Sequence, residues 1–152
     1  MTLYLKSAKR SYMRNLNRTF VCIVLIVLSM PFKGKAQDIT KGKYTWKASQ
    51  VTDGRTSSTK NSYTEFVTNA STSVDWIQKN GELKTTFRVT GIEGSWPNID
   101  NQGTITYILE HENGSCRMSF ERSASGLKIS MDFEGNGNAT TRLTFKVDSV
   151  IP

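Results

Sequence analysis

The chain has 152 residues, with 20 Lys and Arg against 13 Asp and Glu, a formal net charge of +7. The excess belongs to one end, because residues 1–36 hold seven cations (Lys6, Lys9, Arg10, Arg14, Arg18, Lys33 and Lys35) and no Asp or Glu. Taking those seven from 20 leaves 13 cations against 13 anions over residues 37–152, which excludes the broad basic footprint of a nucleic-acid binder.

The first element in chain order is a predicted leader. An apolar run over residues 20–30 follows the basic part, and Pro31 ends it. It is too short to span a bilayer as a helix, which needs about 20 residues. Gly34-Lys35-Ala36 then offers small residues at the −3 and −1 positions of a cleavage site before Gln37. Basic, apolar, then small is the layout of a cleavable secretory signal, with Met1 or Met13 as the start. Cys22 sits inside the apolar run after Val21, where a lipobox would need a small residue. The expectation is a signal peptide over 1–36 and one all-β domain over 37–152, secreted or periplasmic, with no stable membrane anchor after cleavage. Only Cys116 remains in that domain, so it forms no internal disulfide. A bacterial export product stabilised by its core fits this best. Asn69-Ala-Ser71, Asn113-Gly-Ser115 and Asn138-Ala-Thr140 match a glycosylation pattern and are read here as turn sequences.

The domain opens with a strand over 39–51, placing Tyr44, Trp46 and Ala48 on one face and Lys43, Thr45 and Lys47 on the other. Residues 52–62 are polar, contain Asp53-Gly54, and read as a turn or loop. Residues 63–69 read as a strand whose inward face is ambiguous. A hairpin centred on Asn80-Gly81 pairs Gln78 with Leu83, Trp76 with Thr85 and Val74 with Phe87. Val74, Trp76, Leu83, Phe87 and Val89 then share a face. Residues 91–102 break the rhythm with Gly91, Gly94, Pro97, Asn98, Asp100 and Asn101, so they read as a long loop carrying Trp96.

Three strands follow over 103–133. A type I′ turn at Asn113-Gly114 would set His111 opposite Cys116, Leu109 opposite Met118, Tyr107 opposite Phe120 and Glu110 opposite Arg117. A turn at Ser125-Gly126 would set Phe120 opposite Met131, Met118 opposite Phe133 and Arg122 opposite Ile129. The last strand covers 140–147; a five-residue loop over 135–139 brings Leu143 opposite Met131 and Phe145 opposite Ile129.

About eight sequentially linked strands predict an antiparallel meander, closed as a small up-and-down barrel, with a β-sandwich as the alternative. In size and strand order it resembles lipocalin-like and avidin-like barrels, a likeness of architecture. Lipocalins carry Gly-x-Trp in the first strand, whereas this chain has Gly42-Lys-Tyr-Thr-Trp46, and its Gly94-Ser-Trp96 falls mid-chain.

His111 and Cys116 are the only histidine and the only cysteine beyond the leader, placed side by side by the expected register. A cysteine nucleophile needs a base or a cation to stabilise its thiolate. No orienting Asp or Asn is identifiable, so the pair is a minority catalytic candidate and an enzyme is not the favoured reading. No metal-ligand spacing, phosphate loop or nucleophile elbow occurs, and no metal or cofactor is expected. The aromatics point instead to binding. Trp96 suits a lid at a barrel mouth, above an interior lined by Tyr107, Met118, Phe120 and Met131. The expected function is an exported protein holding a small apolar ligand inside a barrel. The alternative is an interaction module, a carbohydrate-binding or adhesin-type sandwich with a filled core.

Overall fold

The computed structural model describes residues 38–112, 114–134 and 140–152. The segment expected to be a leader, Gln37, Asn113 and residues 135–139 lie outside the described residues. The rest forms eight antiparallel strands: β1 (Lys43–Asp53), β2 (Thr59–Asn69), β3 (Ser73–Gln78), β4 (Leu83–Gly94), β5 (Gly103–His111), β6 (Gly114–Ser123), β7 (Gly126–Glu134) and β8 (Thr140–Ile151). Each strand pairs with its sequence neighbours, and β1 also pairs with β8, so the meander closes into a barrel. The predicted all-β barrel is the observed fold, and the sandwich is set aside.

Two registers agree with the sequence. Trp76 lies opposite Thr85, Val74 opposite Phe87 and Gln78 opposite Leu83. At that turn Asn80 and Gly81 both take positive φ, 56° and 100°, and Glu82 N–H donates to the Lys79 carbonyl. Those are the demands of a type I′ turn. Met131 faces Leu143 and Ile129 faces Phe145, as the expected five-residue loop requires.

The other two turns differ from expectation by two residues. His111 pairs with Gly114, Leu109 with Cys116, Tyr107 with Met118 and Ile105 with Phe120. Likewise Ser123 pairs with Gly126, Arg122 with Leu127, Phe120 with Ile129 and Met118 with Met131. In the second case the central residues are Ala124 and Ser125, and neither has positive φ. Gly126 is the last residue of the turn and carries the positive φ of 117°. The glycine thus ends the turn, as it does in a type I geometry, instead of occupying its centre. A shift of two leaves every side chain on its expected face. It does move the charges: Glu110 pairs with Arg88 and Arg117 with Glu93.

Two loops are shorter than expected. β1 runs on to Asp53 and β2 begins at Thr59, so only Gly54–Ser58 connects them. β4 continues to Gly94 because an irregularity between Val89 and Gly91 inserts an extra residue at Thr90. Val89 then faces Leu109 while Ile92 faces Tyr107, so the inward residues change from odd to even numbers. That change of parity is what looks like a broken strand in the sequence. The Asn69-Ala-Ser71 segment is the β2–β3 turn, closed by Thr72 N–H on the Asn69 carbonyl.

The interior is packed around Trp46. Its ring lies 4.7 Å from Phe120 and 6.0 Å from Trp96, and Phe120 meets Tyr107 edge-on at 5.6 Å. The Trp46 indole N–H donates to Thr68 Oγ1 at 3.3 Å, so its polar atom is satisfied inside the barrel. At one end Ile39, Trp96 and Ile99 are buried beneath the N-terminal turn and the β4–β5 loop. The Tyr107 hydroxyl reaches the Ile39 carbonyl at 3.4 Å, and Arg122 Nε reaches the Ile99 carbonyl at 2.8 Å. Arg122 is the exception on the inward face of β6, and it ties this loop down. We call this the packed end.

Gly103 reports how tight the packing is. A Cβ at that position would lie 2.4 Å from Trp96 Cδ1. Gly103→Ala is expected to lose about 1–3 kcal/mol in a urea unfolding series, as overpacked cores do. A neutral Gly103→Ala would contradict the burial of Trp96 against β5.

Candidate functional site

At the opposite end, where β1–β2, β3–β4, β5–β6 and β7–β8 connect, the described residues leave the lumen open. The element that shapes this mouth is Trp76 on β3. The side chain points inward, four residues before the Asn80-Gly81 turn, and reaches across to β7 and β8. Its ring centre lies 6.4 Å from Phe133 and 6.0 Å from Phe145. On β2, Phe66 lies nearly parallel to it at 6.0 Å, and the Trp76 indole N–H donates to Thr64 Oγ1 at 3.4 Å.

Trp76 therefore stands as a crossbar with a cleft on either side. The larger cleft is about 590 Å³, floored by Val51, Leu143 and Phe145 beside Trp76. Its other wall is polar, formed by Lys60, Ser62 and Thr64 on the inward side of β2, by Asp53, Thr56 and Ser58 at the β1–β2 connection, and by Gln78. The smaller cleft is about 320 Å³, bounded by Phe87, His111, Cys116 and Phe133. Trp76 is the one residue that lines both. Volumes of a few hundred Å³ with an apolar floor and a few polar groups are typical of small-molecule sites.

The residues expected to bind ligand do not line these clefts. Tyr107, Met118, Phe120 and Met131 are fully buried, and none lines any of the five clefts found among the described residues. Burial pushes the Tyr107 hydroxyl up to about 12, so it stays protonated. Trp96 is not at the open mouth. It is sealed in the packed end with its N–H donating to the Asn101 carbonyl at 3.0 Å. These five residues form the packed body beneath and opposite the clefts.

His111 and Cys116 are not cross-strand partners, because the two-residue shift puts Leu109 opposite Cys116. They still share the wall of the smaller cleft, where the imidazole lies 5.6 Å from the Phe87 ring. Burial, reinforced by Asp132, raises the Cys116 thiol from 9.0 to about 11. This is the opposite of what a nucleophilic thiolate needs. Among the described residues no cluster of three or more His, Cys, Asp or Glu is placed to hold a metal.

Two further depressions are less apt for an apolar ligand. A groove of about 570 Å³ along β4 and β5 is flanked by Lys84, Arg88, Glu110 and Glu112. One of about 310 Å³ at the packed end is bordered by Asp100, Arg122 and Asp148.

Sequence reasoning placed Trp76 in the core and missed its position at the mouth. A usable signal was the ambiguous inward face of residues 63–69. Extended back to residue 58, every second residue, Ser58, Lys60, Ser62 and Thr64, is polar. A polar inward column beside a tryptophan near a turn marks a wet lumen.

No family model, curated protein or solved structure matches this chain. Fold and site define its class: a closed eight-stranded meander barrel, packed at one end and open around a tryptophan at the other.

The thiol gives a direct check on Cys116. At pH 8 a thiol titrating near 11 carries roughly 100-fold less thiolate than one at 9.0. Iodoacetamide should accordingly label native Cys116, in protein beginning at Gln37, at least that much more slowly than the same protein unfolded in urea. Equal rates would restore the catalytic candidate.

Proposed function

We propose that the protein is an exported binding protein that holds a small, largely apolar molecule in the open mouth of its barrel. The observation that carries this reading is the larger cleft: Val51, Trp76, Leu143 and Phe145 form an apolar floor, and polar side chains stand along one wall. Apolar surface supplies affinity, and a few fixed polar groups set orientation. The ligand accordingly has an apolar body and a polar edge or head. It rests on the packed body containing Tyr107, Met118, Phe120 and Met131, and Trp96 holds the far end shut.

Export is part of the proposal. It rests on the basic, apolar and small-residue order over 1–36, and on Ile39, a buried residue three positions after Ala36. The proposed product is secreted or periplasmic and begins at Gln37.

A carbohydrate is the second reading, favoured by the hydroxyls of Ser58, Ser62 and Thr64 facing an indole. Sugars bind where an aromatic face meets an array of hydrogen-bonding side chains.

Native mass spectrometry of the protein exported by its own host distinguishes these. The expected result is a denatured mass beginning at Gln37 and extra native mass, lost on denaturation, from an apolar molecule. Trp76→Ala should weaken rebinding of that molecule by about 10-fold or more, about 1.4 kcal/mol. A hexose-based adduct would favour the second reading. Export without any adduct, combined with no binding of apolar probes, would contradict the first.

A further inference from the structure

The two clefts differ in their walls and share only Trp76. One lies toward β1 and β8, the other toward β4–β7, and the indole spans the lumen between them. A single straight chain can fill one cleft only, because the crossbar blocks passage from one to the other. A molecule that fills both must fork above the indole.

We propose that the ligand is a forked amphiphile: two hydrocarbon arms, one on each side of Trp76, joined at a polar head at the rim. This rests on the binding function proposed above and specifies the class of molecule bound at that same site. The larger cleft takes one arm along Val51, Leu143 and Phe145. The smaller takes the other along Phe87, Cys116 and Phe133, where the protonated thiol behaves as a small apolar group. The junction lies above the indole edge. Gln78 is two residues beyond Trp76 on the same face of β3, so its amide stands over the fork, with Lys60 and Ser62 beside it. On the other side His111 and Ser115 edge the smaller cleft. Around the head, Lys60 and Asp53 of the larger cleft and Glu134 of the smaller bring charges of both signs among uncharged donors and acceptors, which suits a zwitterionic polar group.

The crossbar is well held for this role. Phe66, Phe133 and Phe145 surround the ring, and Thr64 Oγ1 accepts its N–H while donating to the Ile77 carbonyl at 3.4 Å. Each arm buries itself without displacing the indole. Linking two arms makes the second insertion intramolecular, so a two-chain ligand gains affinity over a single chain with the same head.

The test uses the domain from Gln37 to Pro152 and two soluble probes below their critical micelle concentrations, dihexanoylphosphatidylcholine and hexylphosphocholine. Calorimetric titration should show the two-chain probe binding one to one, on the order of 100-fold more tightly than the single-chain probe. Thr85→Phe, which enters the smaller cleft from β4 opposite Trp76, should reduce the two-chain probe to single-chain affinity and leave the single-chain probe unchanged in the larger cleft. Cys116→Leu fills the same cleft from the inward face of β6 and replaces Thr85→Phe if that variant fails to fold. Equal affinity for the two probes, or a two-chain affinity indifferent to both substitutions, would overturn the forked ligand while leaving single-ligand binding in place. Failure of both probes to bind would overturn the binding function as well.

Discussion

The pairing of β1 with β8 is the constraint on which everything else depends. Without it the eight strands would form an open sheet with two free edges, each a template for association with other chains. Closure requires β1 to bend, and both of its ladders show register shifts around Ala48 and Gln50. Such irregularities increase local twist and curvature. Trp46 sits on β1 beside that bend, so the strand that closes the barrel also contributes the ring around which the interior packs.

Closure with eight strands leaves a lumen just wide enough for packed side chains or one small ligand. This chain divides that space lengthwise. Large side chains from Ile39, Trp46, Trp96, Ile99, Tyr107 and Phe120 fill one end. Toward the other end the inward residues of β2 become polar and small, and the lumen widens into two clefts around Trp76. The packed end provides stability and the open end provides space. Because the division runs along the barrel, the same strands carry both: β1 supplies Trp46 to the core and Val51 to the cleft, and β8 supplies Val147 to the core and Leu143 to the cleft.

Much of this fold is legible in the sequence because period-two patterning is insensitive to a register shift of two residues. The Asn113-Gly114 and Ser125-Gly126 dipeptides mark turns, but in each the glycine belongs to the closing pair, His111 with Gly114 and Ser123 with Gly126. The register therefore slipped by two, and inward faces survived while individual partners such as His111 and Cys116 did not. Thr90 hid the end of β4 for a different reason, since one extra residue reverses the alternation that identifies a strand. The site was harder to read. Whether an inward aromatic is core or cleft depends on how far its neighbours reach across the lumen, and that is a property of the closed barrel. Trp96, in a loop, reads as a lid at a mouth and is sealed in the packed end by its fit against Gly103; Trp76, in a strand, reads as core and forms the crossbar.

The chain contains three tryptophans, each with its indole N–H bound to a different partner: Trp46 to Thr68, Trp96 to Asn101 and Trp76 to Thr64. Their three indole resonances in a nitrogen–proton NMR spectrum, assigned by single Trp→Phe substitutions, locate ligand binding directly. Titration with an apolar probe should shift the Trp76 resonance progressively and leave Trp46 and Trp96 in place. A shift confined to Trp46 or Trp96 would put the ligand in the packed end and contradict a binding site at the open mouth.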